Sequence, residues 1–312
     1  METASIGKCE EVPTDLEGGF GQSGSYDLQS EAVSDPASPI EWLSSADGTP
    51  IALHDFGGDG PPLMVTHATG FHARTYVPLI TEWAKRFHVW GVDLRGHGAS
   101  QIDPEATFEW GDFASDLLAA IDHVGEPVFA FAHSMGGATT LMAEAARPGS
   151  VRRAWVYEPI IFPAEIGPRN SFMAENAARR RPNFASRAEA LERYASRPPL
   201  NLLRADALAA YVRWGFVDDD DGTVRLACRP VHEALTFTGA RIPASHIESV
   251  DIPVIVAKGY TTEGETSAAD FATGAADALS NGTLVEYADL GHFGPLEAPG
   301  RIATDVTTWM LA

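Results

Sequence analysis

One pattern constrains this chain more than any other. Short apolar runs ending in glycine-rich loops alternate, through most of its length, with stretches whose apolar residues recur at helical spacing. "PPLMVTHATG" (61–70) and "FHVWGVDLRG" (87–96) read as buried parallel strands. "WGDFASDLLAAIDHVG" (110–125) reads as an amphipathic helix stopped by Gly125, and "PVFAFAH" (127–133) is the next buried strand. "RRAWVYEP", "IPVIVAKG", "TLVEYADLGH" and a last helix from about Gly300 continue the alternation. Ahead of them, "IEWLSSADGTPIALHDFG" alternates around Asp47-Gly48 as a β-hairpin does. The expected fold class is α/β, a mostly parallel, doubly wound sheet.

Two regions depart from the pattern. Residues 1–38 carry eight carboxylates against one lysine and no sustained apolar period, so they read as a disordered acidic tail. Residues 161–249 replace the alternation by helical segments, "SFMAENAARRR", "SRAEALERYAS" and "ADALAAYVRWGF", which read as a helical cap inserted in a core made of 39–160 and 250–312. Within that insertion, Arg179–Arg181 read as a solvated helix end. "DDDDG" (218–222) reads as a turn in water, because consecutive aspartates do not give the alternating ligand positions of a calcium loop.

With 312 residues and 45% hydrophobic content the chain can bury a full core. A formal charge of −21 argues against nucleic acid or an anionic membrane as partner, since phosphate would be repelled by most of this surface. No run reaches the roughly 18 apolar residues of a membrane helix, and no signal-peptide order opens the chain, so the cytoplasm is the default compartment. Cys9 and Cys228 lack metal-ligand spacing and read as free thiols; no metal or cofactor is expected.

The chemistry centres on "AHSMGG" (132–137). A nucleophile must stand clear of the sheet while neighbouring backbone N–H groups face the reacting carbonyl, and a tight strand-to-helix turn between small residues achieves both. Ala132 and Gly136 flank Ser134 at two residues' distance, an apolar strand precedes it, and the helical "ATTLMAEAA" follows. Ser134 is the candidate nucleophile.

On "THATGFH", "DLRGHGAS", "AHSMGG" and "GHFGPLEAP" the chain resembles the α/β-hydrolase superfamily over about residues 40–312, with Ala132 where that family usually has glycine. The resemblance implies an α/β-hydrolase fold with an inserted helical cap and a base at His292, in the loop after the last strand. It also implies that His133 points away from the chemistry and that His97 steadies its own loop. The penultimate strand ends in "VAKGYTTEGE", without the aspartate common there. Glu158, closing the strand after the elbow helix, is therefore preferred as acid to Glu263, with Asp289 third. That placement resembles some haloalkane dehalogenases and the zearalenone-type lactonases. "HATGFH" matches the family's oxyanion loop, so the donors expected are the N–H groups of Met135 and of Thr69 or, less favoured, Ala68. Phe71 and His72 are expected at the pocket mouth, with Phe162, Trp214 and Phe216 as cap-side walls.

Serine at the elbow excludes the aspartate-dependent alkyl-enzyme chemistries of this fold. The expectation is a serine hydrolase that cleaves an apolar ester or lactone through an acyl-enzyme. A carbon–carbon bond hydrolase, a cofactor-free perhydrolase and a slow-turnover ligand receptor of the same fold are the alternatives. Its partner is a small-molecule substrate; sequence alone says nothing of its oligomeric state.

Overall fold

The hairpin around Asp47 and Gly48 begins the sheet. In a computed structural model, which describes residues 40–100, 102, 106–164, 171–239, 242–261 and 267–312, β1 (Ile40–Ser44) pairs antiparallel with β2 (Pro50–Asp55). The acidic tail and Cys9 lie outside the described residues. The apolar runs become β3 (Pro62–Thr66), β4 (His88–Asp93), β5 (Val128–His133) and β6 (Val151–Tyr157). Between them run α1 (Val77–Trp83), α2 (Trp110–Val124) and α3 (Met135–Ala146). α2 shows why its sequence is helical: Glu109 and Asp112 form a capping box, Gly125 closes it in the left-handed region, and Phe113, Leu117, Ala120 and Ile121 are buried along one stripe. Each large apolar side chain so buried contributes up to about 1.5–3 kcal/mol.

The inserted segment holds α4 (Phe172–Ala178), α5 (Arg187–Ala195), α6 (Ala205–Trp214) and α7 (Pro230–Thr238). It is not helical throughout. β7 (Asn183–Phe184), β8 (Phe216–Asp218) and β9 (Val224–Leu226) form a small antiparallel sheet in the order β7-β9-β8, and the "DDDDG" run is the turn between its last two strands. The chain then returns to the main sheet through β10 (Val254–Lys258), α8 (Ala268–Ala278) and β11 (Gly282–Glu286), and ends in α9 (Gly294–Glu297) and α10 (Pro299–Met310).

The main sheet has eight strands in the order β1-β2-β4-β3-β5-β6-β10-β11, parallel from β4 to β11. Apolar side chains fill both of its faces, Trp83, Phe87 and Phe131 on one, Phe113, Leu141 and Val156 on the other. A buried ionic cluster fastens the hairpin to α2. Arg95, fully buried, donates to both oxygens of Asp116 at 2.7 and 2.9 Å and to Asp47 at 2.8 Å, and the Ser45 hydroxyl reaches Asp116 at 2.6 Å. The parallel strands end together, so the loops after β3, β5, β6, β10 and β11 share one edge of the sheet.

Candidate active site

Ser134 stands between the last residue of β5 and the first of α3, at φ 56° and ψ −117°, a conformation a side chain seldom adopts. The tight turn is possible because Gly136 has no Cβ: one would lie 2.5 Å from the Thr66 carbonyl oxygen and 2.7 Å from that of His67. The elbow is thus pressed against the end of β3. Its N–H donates to the Tyr157 carbonyl at 2.8 Å, which ties it to the neighbouring strand.

Glu158 follows Tyr157 at the end of β6. Among the described residues it and Ser134 are the two non-glycine positions with positive φ, Glu158 at 45°. The Glu158 carboxylate is almost wholly buried. One oxygen accepts the Gly259 N–H at 2.7 Å, and the other receives His292 Nδ1 at 2.6 Å. Since a carboxylate accepts, Nδ1 carries the hydrogen and Nε2 is left to take a proton. The His292 loop is held on several sides: the Tyr157 hydroxyl donates to the Gly291 carbonyl at 2.8 Å, and Glu297 accepts the Gly291 N–H at 3.2 Å. Asp289 is instead exposed and paired with Arg301 at 2.7 Å, and Glu263 lies outside the described residues.

The loop after β3 is built around two histidines. His67 Nδ1 donates to the Ala68 carbonyl at 2.9 Å while its Nε2 accepts the Leu94 N–H at 3.0 Å. His133, fully buried, points away from the elbow: its Nε2 donates to the His292 carbonyl at 2.8 Å, and its Nδ1 accepts the Tyr76 hydroxyl at 2.7 Å. The Tyr76 oxygen in turn accepts the Ala68 N–H at 3.2 Å, so that amide is already engaged. Among the described residues the N–H groups of Thr69 and Met135 have no acceptor; Met135 is the first residue of α3, where helix amides lack internal partners. Burial lowers the pKa of His133 far below its ordinary range, so this ring is neutral.

The expected wall residues separate in space. Phe71 packs its ring 5.5 Å from that of Phe293, beside His292, and 5.1 Å from Tyr211 of α6. His72 is buried, with Nε2 3.2 Å from the Tyr211 carbonyl oxygen. Trp214 and His72 together line a cavity of about 280 Å³ with His54 and Asp93. Phe162 packs at a tilt 4.4 Å from Phe271 of α8, and Phe216 meets Phe184 edge-on within the inserted segment. His97, as expected, bonds its own loop at the Arg95 carbonyl, 2.9 Å away. One expectation is overturned: Arg180 is no solvated helix end. It turns inward, Nη1 to Glu233 at 2.6 Å and Nη2 to the Tyr211 hydroxyl at 2.7 Å. The run of three arginines hid it, because the partner that draws it in lies 53 residues away.

Among the described residues no group of three or more His, Cys, Asp or Glu side chains is placed to hold a metal ion, and no helix is long and apolar enough to cross a membrane. Cys228 is a buried free thiol.

A serine on a strained elbow, with a buried glutamate–histidine pair at the same sheet edge, belongs to the architecture of hydrolases. Residues 63–306 match the alpha/beta hydrolase family, and the chain belongs to it. It is similar to (E)-2-((N-methylformamido)methylene)succinate hydrolase of Acinetobacter baylyi, 21% identical over 254 residues that cover 81% of this chain and 91% of that one. Monoglyceride lipase of Rattus norvegicus is 30% identical over 137 residues, a likeness spanning 41% of this chain and 45% of the lipase. Among solved structures, E-2-(acetamidomethylene)succinate hydrolase shares the fold at a TM-score of 0.70 and 20% identity, over 88% of this chain and 100% of that one.

Proposed function

We propose that this hydrolase cleaves a carboxylic ester or lactone through an acyl-enzyme on Ser134. The observation that carries the reading is the 2.6 Å contact between His292 Nδ1 and a buried Glu158, beside a serine in a strained strand-to-helix turn. Ser134 Oγ attacks the carbonyl carbon while His292 Nε2 takes its proton; the same imidazolium then gives that proton to the leaving alkoxide. Glu158 fixes the tautomer and balances the imidazolium charge. The Met135 and Thr69 amides receive the oxyanion, each such donor contributing about 3 kcal/mol to transition-state stabilisation. Water, activated by His292, releases the acid in the second half-reaction.

Phe71, with Phe293, offers the apolar wall nearest the base. In this reading residues 161–249 act as the cap, since Tyr211 of α6 packs on Phe71 of the oxyanion loop. The lipase relative, an ester hydrolase by name, is consistent with ester cleavage. The test is a panel of p-nitrophenyl esters, aryl lactones and peroxide-dependent assays on the purified protein and its Ser134→Ala variant. Steady multiple turnover of esters or lactones, lost in Ser134→Ala, is expected; turnover of peroxyacid formation alone, or one slow event per chain, would overturn it. A fluorophosphonate should also add one adduct, on Ser134.

A further inference from the structure

Arg179, Arg180 and Arg181 divide their roles. Arg179 and Arg181 face outward toward Glu175 and Glu189, whereas Arg180 lies beneath the segment, bonded to Glu233 and Tyr211. Arg180 also lines a cavity of about 800 Å³ between α4 and α7, together with Arg225 and Arg229. The rest of that wall includes Ile102, Leu226 and Leu235, and none of the described residues lining it is acidic.

The guanidinium groups are unequally satisfied. Glu233 compensates Arg180. Arg225 gives only its Nε to Asp219, at 2.9 Å, so both of its terminal nitrogens lack an acceptor among the described residues. Arg229 has no hydrogen bond or ion pair among the described residues, although the protein carries a formal charge of −21. It stands at the start of α7, where the positive end of the helix disfavours a cation. A cavity that is apolar along its wall and rich in unfilled fork-shaped donors is matched by an anion on an apolar chain.

The Arg180–Glu233 pair stands between this cavity and the loop after β3: Glu233 Oε1 lies 2.7 Å and Arg180 Nη1 3.3 Å from where a Cβ on Gly70 would stand, one residue beyond Thr69. We propose that the cavity receives the far end of the substrate, and that this end is a carboxylate separated by several methylenes from the carbonyl that Ser134 attacks. Arg225 and Arg229 bind the carboxylate, the apolar wall takes the methylenes, and Arg180, held by Glu233, forms the inner boundary. The inference rests on Ser134 being the nucleophile.

The experiment compares p-nitrophenyl hexanoate with the p-nitrophenyl monoester of adipic acid, equal in chain length but ending in a carboxylate. For the full chain, kcat/KM for the monoester is expected to exceed that for the hexanoate about tenfold, the scale of one charge-assisted contact. Arg229→Gln should reduce that ratio severalfold, and the Arg225→Gln/Arg229→Gln pair should bring it to one or below. Lys85→Ala, which removes the same charge from a surface pair with Glu82, should leave the ratio unchanged. A wild-type ratio at or below one, or a ratio indifferent to both arginine variants, would overturn the proposal. Rates of fluorophosphonate labelling report whether each variant still folds around Ser134. Ser134→Ala separates the two readings: if it keeps full turnover, the nucleophile assignment fails and the inference with it. If it is inactive and the wild type still prefers the hexanoate, the carboxylate site alone fails.

Discussion

His133 Nε2 donates to the carbonyl oxygen of His292 at 2.8 Å, so a ring next to the elbow serine holds the backbone of the His292 loop. Through Tyr76 the same ring reaches the Ala68 amide, so the His292 loop and the loop after β3 share one buried support. The support is polarised in one direction only: Ala68 N–H to Tyr76, Tyr76 O–H to Nδ1, Nε2–H to His292.

Tyr76→Phe should therefore leave the Ala68 amide and His133 Nδ1 unpaired in the interior, a cost of about 1–3 kcal/mol each. We expect the variant to fold, with kcat lowered about tenfold or more and KM little changed. Steady-state kinetics with circular dichroism checks this; an unaltered kcat would show that the bridge supports the fold alone.

Glu158→Gln should keep the fold and lower kcat by roughly 10³ to 10⁴, as loss of a tautomer-fixing carboxylate does in comparable triads. Glu263→Gln should change little. Kinetics of the two variants side by side decide the matter, and a near-normal Glu158→Gln would return the acid to the loop after β10.

Stability should fall with acid. Burial lowers the pKa of His72 to about 4 and of His97 to about 3, and holds that of His133 low as well. The unfolded chain binds these protons near pH 6.5 and the folded chain only below about 4, so their neutral forms favour folding fully above pH 6.5. That contribution is lost as pH drops toward the folded values, on the order of 1 kcal/mol per residue per pH unit. Melting temperature followed from pH 7.5 to 5 should decline steadily below 6.5; a flat profile would contradict it.

Asp116→Asn should be among the more damaging single changes, because it removes the one fully buried carboxylate from the buried Arg95 guanidinium and leaves it only the more exposed Asp47 and Asp112. Breaking one partner of such a pair typically costs about 3–5 kcal/mol. Urea unfolding measures it, and a loss below about 1 kcal/mol would mean that Asp47 and Ser45 suffice.

Much of this architecture was legible because it is periodic or positional. Ser134 announced itself through small neighbours and the strand before it, and Glu158 through its place at a strand end just before Pro159. The small sheet of the inserted segment escaped because strands of two and three residues are too short to show alternation. Arg180 escaped because its environment is set by Glu233 and Tyr211, distant in sequence. Phe162 and Trp214 show the same limit: an aromatic residue in the right segment does not disclose which side of a helix or strand faces the site.

Serine and glutamate sit at the tips of adjacent strands, each anchored by its own amide, Ser134 to Tyr157 and Glu158 to Ala257, both at 2.8 Å. Their separation is therefore a property of the ladder between β5 and β6, and only the histidine arrives on a loop. If these three form the triad, its alignment depends on a single adjustable part. The connection after β10, relieved of supplying an acid, can then change in length and composition among descendants of this chain without detuning the chemistry, which makes it a natural place for new substrate preferences to evolve.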